Sequence, residues 1–296
     1  MRRPIRHFVL LFLALSLAGC GPLAASGLGL FATATPTPLP PTETPLPTAT
    51  LTSTPVPTAT NTPEPTATPT PVLIRTGPGD IICPILLYHR IDDLNTTNPY
   101  VIGIDDFRQH MQYLHDQGYH TISITQLAEA INFGADLPEK PIVLTFDDGD
   151  LSVFKNAYPI MKELGFTGVA YLVGNYVGAD GYMSVEQIQT LAKHGWQMGS
   201  HTQGHADLSQ CNKCSREIVD SKFNLAKKLD LEIESFAYPF GIKTDSALAL
   251  VSQNYKAGVG LGVFTQQGPY NLYYLWRRPV DNGTTMEMFI SFLPPQ

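Results

Sequence analysis

The sequence predicts an α/β domain, a parallel sheet covered by helices, filling about the last three quarters of a 296-residue chain. Three observations predict it. Apolar runs rich in β-branched residues alternate with amphipathic stretches, the pattern of a strand-helix repeat. The first quarter differs in composition from the rest and carries almost none of the charge. The polar residues best suited to chemistry fall where strands end, on the face that carries function in parallel α/β domains. A 43% hydrophobic and 10% aromatic content is enough for one core of this size. The net charge of -7 argues against nucleic acid, which requires clustered Lys and Arg.

The chain opens on Met1-Arg2-Arg3-Pro4-Ile5-Arg6, then an apolar run from Phe8 to Leu17, then Ala18-Gly19-Cys20. A basic start, a short apolar core and small residues before the break read as a secretory signal over 1–19. The run is short for a permanent membrane span. Leu17-Ala18-Gly19-Cys20 resembles the bacterial lipobox, which implies that Cys20 is lipidated and anchors the protein to the membrane. From Thr33 to Pro71 the chain is almost entirely Thr, Pro, Ala and Ser. Such a segment cannot bury enough apolar surface to offset its ordering entropy, so 20–76 reads as a disordered spacer, extended by its prolines. The folded domain is expected over 77–296.

Within it, Ile81 to Tyr88 reads as a strand and Asp105 to Gln117 as a helix. Pro141 to Phe146 is a buried strand, Val153 to Leu164 a helix, and Thr167 to Val173 a strand. Ser184-Val185-Glu186-Gln187 is a capping box opening a helix that stops at Gly195. Trp196 to Gly199 is a strand, Ser215 to Leu229 a helix and Ile233 to Tyr238 a strand. Helix Asp245 to Gln253, strand Ala257 to Val263 and helix Thr285 to Leu293 complete the series. Periodicity alone leaves open whether the sheet closes into a barrel.

Three segments at strand ends carry chemistry. Thr145-Phe146-Asp147-Asp148-Gly149 follows the strand Ile142-Val143-Leu144. Adjacent carboxylates there point in different directions, so one could ligate a metal and the other act as a base, although Asp-Asp-Gly alone is often a plain turn. His201-Thr202-Gln203-Gly204-His205 follows a second strand. Two imidazoles with one carboxylate make a three-ligand site with positions left open, the mark of a catalytic metal. Phe236-Ala237-Tyr238-Pro239-Phe240-Gly241 ends a third strand in a rigid turn that could aim a backbone N–H at a developing oxyanion.

These segments, in this order, resemble the motifs Thr-Phe-Asp-Asp-Gly, His-Ser/Thr-x-x-His and Arg-x-Pro-Tyr-Gly of the polysaccharide deacetylases (the NodB-homology domain, carbohydrate esterase family 4). The resemblance covers about Ile81 to Leu293. It implies a distorted (β/α) barrel of about seven strands holding zinc or a similar divalent ion. It implies Asp148, His201 and His205 as metal ligands, Asp147 as catalytic base, and the Phe240 N–H as an oxyanion donor. It further implies a metal-dependent removal of N-acetyl groups from a polysaccharide outside the cytoplasm.

Two departures stand out. Ala237 occupies the place of the family's Arg, which pairs with the base. Arg277 in Leu275-Trp276-Arg277-Arg278-Pro279-Val280 resembles a late Arg motif of related deacetylases and could supply that charge, though Arg277 and Arg278 equally suit a surface. No His follows His205, where the family's general acid commonly lies. Pro84-Ile85-Leu86-Leu87-Tyr88-His89 resembles the rearranged branch that includes the poly-N-acetylglucosamine deacetylases, in which this motif opens the domain. That makes His89 the acid, with Asp92 or Asp93 available to tune it.

His110, His115, His120 and His194 lack a partner motif and read as helix-surface or helix-end residues. Cys211-Asn212-Lys213-Cys214 lacks the second pair a structural zinc needs and reads as a local disulfide; Cys83 reads as a buried thiol. Tyr176, Tyr182, Tyr238 and Trp276 suit either sugar stacking or the core. Two other classes compete: a lipid-anchored glycan-binding module on the same fold, and a glycosidase. Adjacent Asp147 and Asp148 do not form the opposed pair that a glycosidase places across a bond.

Overall fold

The computed structural model describes residues 71–93, 96–210 and 214–295. The signal segment, Cys20, nearly all of the Thr/Pro-rich run and Cys211 lie outside the described residues. Those described fall in a unit that spans Glu64–Gln296.

Seven short strands make the framework: β1 (Ile85–Tyr88), β2 (Pro141–Phe146), β3 (Val169–Leu172), β4 (Gln197–Ser200), β5 (Ser235–Ala237), β6 (Ala257–Val259) and β7 (Arg278–Pro279). They pair in parallel in the order β6-β5-β4-β3-β2-β1-β7. Strands covered on both faces carry unbroken apolar runs, and β1 and β3 are buried at every position.

The sheet curls until its ends meet. Leu275 N–H donates to the Gly258 carbonyl at 2.8 Å, Gly260 N–H to Leu275 at 2.9 Å and Gly262 N–H to Arg277 at 3.0 Å. The segment leading into β7 therefore joins β6, and the expected distorted barrel follows. Alternate residues separate inside from outside. Ile85, Val143, Val169, Tyr171, Ala237 and Val259 fill the barrel, while Leu86, Leu144, Phe146, Ala170 and Phe236 pack outward under the helices.

The helices are α1 (Ile104–Asp116), α2 (Ile124–Phe133), α3 (Tyr158–Glu163), α4 (Val185–Lys193), α5 (Ser221–Leu229), α6 (Asp245–Asn254) and α7 (Met286–Ser291). The capping box predicted at Ser184 is present: its Oγ accepts from the Gln187 N–H, and Gln187 reaches back to the Ser184 N–H. A second box, Ser123 with Gln126, opens α2, a helix that the sequence reading passed over although Ser-Ile-Thr-Gln carries the same signature. Single turns of wider π-type helix, Val153–Ala157 and Arg216–Asp220, lead into α3 and α5 and divide two helices expected to be continuous.

Four further expectations are corrected. The predicted strand 81–88 breaks at Cys83-Pro84: Ile81–Ile82 pairs antiparallel with Gln266–Gln267, and only Ile85–Tyr88 enters the barrel. Proline cannot donate to a ladder, so the strand changes partner there. β7 was missed because two residues offer no period to read. Leu73–Thr76 pairs antiparallel with Ala135–Pro138, so ordered chain begins inside the segment assigned to the spacer. His110, expected at a helix surface, is 1% exposed. Its ring stacks on Phe289 of α7 at 4.0 Å between centroids, a contact set by helices far apart in sequence.

Candidate active site

The inward phase of the strands continues past their C-terminal ends and delivers the polar residues to one cavity of about 340 Å³. Leu87 and His89 come from β1 and its end, Asp147 from the end of β2, His201 from that of β4, and Arg277 and Pro279 from β7 and its start. Each continues the alternation of inward-facing positions on its own strand.

Asp148 would point outward on that phase. Its φ of 72° turns it back towards His201 and His205, and Thr202 (67°), His205 (59°) and Phe240 (58°) share that left-handed conformation. They are four of the six non-glycine residues with positive φ among those described. Strained backbone of this kind costs about 1–3 kcal/mol per residue and persists where its surroundings hold it.

Asp148, His201 and His205 converge, with one ligand atom from each lying within 4.8 Å of the others. Asp148 Oδ1 is 3.4 Å from His205 Nε2 and 3.7 Å from His201 Nε2. Ligands about 2.1 Å from a shared tetrahedral ion stand about 3.4 Å apart. His201 Nδ1 faces the Ala237 carbonyl at 2.9 Å. A carbonyl only accepts, so Nδ1 holds the proton and Nε2 keeps its lone pair, the usual outer-shell arrangement of a ligating His. Burial pushes His201 down to about 4 against the pull of Asp147, which keeps the ring neutral. Burial, reinforced by the Asp147 charge, pushes Asp148 up. Asp148 Oδ1 is buried with no hydrogen-bond partner. A buried carboxylate oxygen without a hydrogen-bond partner, facing the Nε2 atoms of two imidazoles of which that of His201 is unprotonated, is costly by itself and favourable around a cation, so the residues present fit a divalent ion.

Asp147 is held differently. Arg277, 1% exposed, grips it with both ends of its guanidinium: Nη1 to Oδ1 at 2.6 Å and Nη2 to Oδ2 at 2.8 Å. Arg277 Nη1 also donates to Thr145 Oγ1 at 3.2 Å and Nε to the Gly260 carbonyl at 3.1 Å, with Tyr171 beneath the guanidinium. Burial pushes Asp147 up, but Arg277 and then His201 outweigh it and hold the carboxyl at about 2. The charge missing at Ala237 thus arrives from β7. Arg278 lies outside this contact and packs over the Phe292 ring.

His89 lines the same cavity, its ring 4.7 Å from that of Tyr100. Burial pushes it below the ordinary histidine value, while Asp147 and Asp148 pull it up. These are the carboxylates that face it. Neither Asp92 nor Asp93 does so: Asp92 is tied to the Ile102 carbonyl through its backbone, and the Asp93 carboxylate accepts the Ile104 N–H. Phe240 packs its ring against His205 at 4.8 Å, and among the described residues no protein acceptor takes its N–H. Tyr238 is wholly buried and edge-on to Phe236, so it belongs to the core. Tyr176 and Tyr182 pack on each other, and Trp276 sits against Phe264 and Tyr270. Cys83 is a buried free thiol, as expected. Sequence reasoning missed Thr145 as the support of Arg277, and Tyr100 and Asp281 as cavity walls. For Asp281 the signal was its place two residues beyond Pro279, in phase with Arg277.

Residues 134–258 match the family model described as polysaccharide deacetylase. The chain is 28% identical over 216 residues to YxkH of Bacillus subtilis (strain 168), named as a candidate polysaccharide deacetylase; the match covers 71% of this chain and 75% of that one. It is 23% identical over 205 residues to the poly-beta-1,6-N-acetyl-D-glucosamine N-deacetylase of Staphylococcus aureus (strain MRSA252), covering 60% and 70%. Among solved structures, it superposes on the Streptococcus pyogenes deacetylase PplD in complex with acetate with a TM-score of 0.66 and 27% identity, covering 76% of this chain and all of that one.

Proposed function

This chain belongs to the polysaccharide deacetylase family, and from that premise we propose that it is a metal-dependent hydrolase cleaving N-acetyl groups from a glucosamine-containing polysaccharide outside the cytoplasm. The observation that carries the reading is the pairing of two unlike carboxylates. Asp147 is locked to Arg277, and Asp148 is turned towards two imidazoles beside it.

Asp148, His201 and His205 would hold the divalent ion, with zinc favoured by the two imidazoles and one carboxylate. When bound, such an ion lowers the pKa of water and polarises an amide carbonyl. Asp147 takes the proton from the attacking water; Arg277 keeps it ionised and fixes the direction of its free lone pairs. As the water oxygen bonds to the acetamide carbon, the Phe240 N–H donates to the oxygen that gains charge. His89 gives a proton to the sugar nitrogen as the C–N bond breaks, so a free amine and acetate leave. The carboxylates facing His89 favour its charged form against burial. The N-terminal signal, lipidated Cys20 and Thr/Pro-rich spacer would tether the domain to the membrane and let it reach its glycan.

The test is acetate release by the full chain from a panel of N-acetylated glycans. Activity lost to a chelator and restored by added zinc supports the reading. Chelator-resistant release, or full release by Asp147→Asn, would overturn it.

A further inference from the structure

Among the described residues, Asp281 is the one charged side chain lining this cavity to which the proposed chemistry gives no task. Its place is fixed by the barrel. β7 pairs with β1 in the register Arg278 to Leu86 and Pro279 to Leu87, and the Val280 N–H donates to the Leu87 carbonyl at 2.9 Å. Continued by two residues, that register sets Asp281 alongside His89. The phase agrees, because Arg277 and Pro279 line the cavity and Asp281 is next in the same alternation.

The backbone around Asp281 is pinned. Its N–H donates to Thr284 Oγ1 at 3.0 Å, and the Thr284 N–H returns to the Asp281 carbonyl at 2.9 Å. The next residue, Asn282, donates through its N–H to the Pro99 carbonyl at 2.8 Å and through Nδ2 to Thr96 at 2.9 Å. These bonds fasten the turn to the loop that ends at Tyr100, whose ring is half exposed, lines the same cavity and leans on His89. The carboxylate itself has no hydrogen bond or ion pair among the described residues, and burial pushes its pKa up. A half-buried carboxylate on a braced turn, without a partner, suits a donor brought by a ligand.

Resting on the deacetylase reading, we propose that Asp281 and Tyr100 form a sugar-binding shelf beside His89. Tyr100 covers the apolar face of a pyranose ring, and the Asp281 carboxylate accepts hydrogen bonds from that ring's hydroxyls. The shelf places the ring so that its nitrogen meets His89. Asp281 is a positioning residue, and its contribution is confined to substrates that carry a hydroxylated ring.

The test uses the full zinc-loaded chain and compares Asp281→Ala, Asp281→Asn and Tyr100→Leu with wild type on two substrates: N-acetylglucosamine tetramer and 4-nitrophenyl acetate, which has no sugar. A charge-assisted hydrogen bond is worth about tenfold in affinity. Asp281→Ala and Tyr100→Leu should therefore raise KM for the tetramer about tenfold at near-constant kcat. The loss on the ester should be much smaller than on the tetramer, and Asp281→Asn, which keeps an acceptor oxygen, should recover part of the tetramer loss. An unchanged KM, or equal losses on both substrates, overturns the shelf while acetate release by wild type leaves the deacetylase reading standing. Calorimetric binding of the tetramer to Asp147→Asn, with and without Asp281→Ala, separates the two ideas further. Asp281-dependent tetramer binding, with no acetate released by wild type, supports the shelf and sinks the hydrolase. No binding and no release sinks both.

Discussion

The two neighbouring aspartates differ only in what surrounds them. Asp147 meets a rigid guanidinium that satisfies both its oxygens; Asp148 faces the Nε2 atoms of two imidazoles. Removing the proposed base should expose that difference: Asp147→Asn is expected to lower acetate release about 10²–10⁴-fold with bound-metal content unchanged by elemental analysis. Arg277 also carries stability through its buried pair with Asp147. Arg277→Met leaves a buried, uncompensated carboxylate and should cost about 3–5 kcal/mol, read from urea unfolding at pH 7. His110 offers a pH signature away from the site. Burial lowers it to about 4, so the native state resists a proton that the unfolded chain accepts near 6.5. Its contribution is complete above pH ~6.5, is lost as pH falls from ~6.5 to ~4, and is constant below that; the loss reaches about 2 kcal/mol at pH 5. His110→Phe should remove this part of the difference in unfolding free energy between pH 7 and pH 5.

At the scale of elements, caps, π-turns and left-handed residues set where strands and helices stop, and the stops make the site. Asp148, Thr202, His205 and Phe240 each leave regular structure at a positive φ, and Asp148, His205 and Phe240 line the cavity at the barrel mouth. The helices depend on simpler chemistry. Ser123→Ala removes the acceptor for the Gln126 N–H at the start of α2 and should cost about 1 kcal/mol in urea unfolding, with acetate release unaltered. That box was readable in the sequence, since its four residues carry their own signal. β7 was not: two residues have no periodicity, and only pairing with Leu86 and Leu87 makes them a strand.

For the whole molecule, the barrel is a device for bringing residues from distant points of the chain to one mouth. The Arg277–Asp147 pair spans 130 residues, and hydrogen bonds from 258–262 to 275–277 close the ring that holds it. The strand Leu73–Thr76 brings the chain before the expected boundary into this body. A chain beginning at Glu64 should therefore unfold at a higher urea concentration than one beginning at Gly77, with equal acetate release from soluble glycan.

The sequence by itself determined the strand-helix order, the two segments whose Asp148, His201 and His205 converge and the adjacent pair of aspartates, because each rests on local pattern and on residue types few in number. Its His89 assignment came from a motif at a strand end, and the structure brings that residue to the same cavity. Only the tertiary structure decided that Arg277 rather than Arg278 meets Asp147, that His110 is buried, that Tyr238 belongs to the core and that Asp281 stands at the mouth. Each of those depends on strand register or, for His110, on the packing of distant helices, and both are fixed by contacts between segments that no local pattern connects.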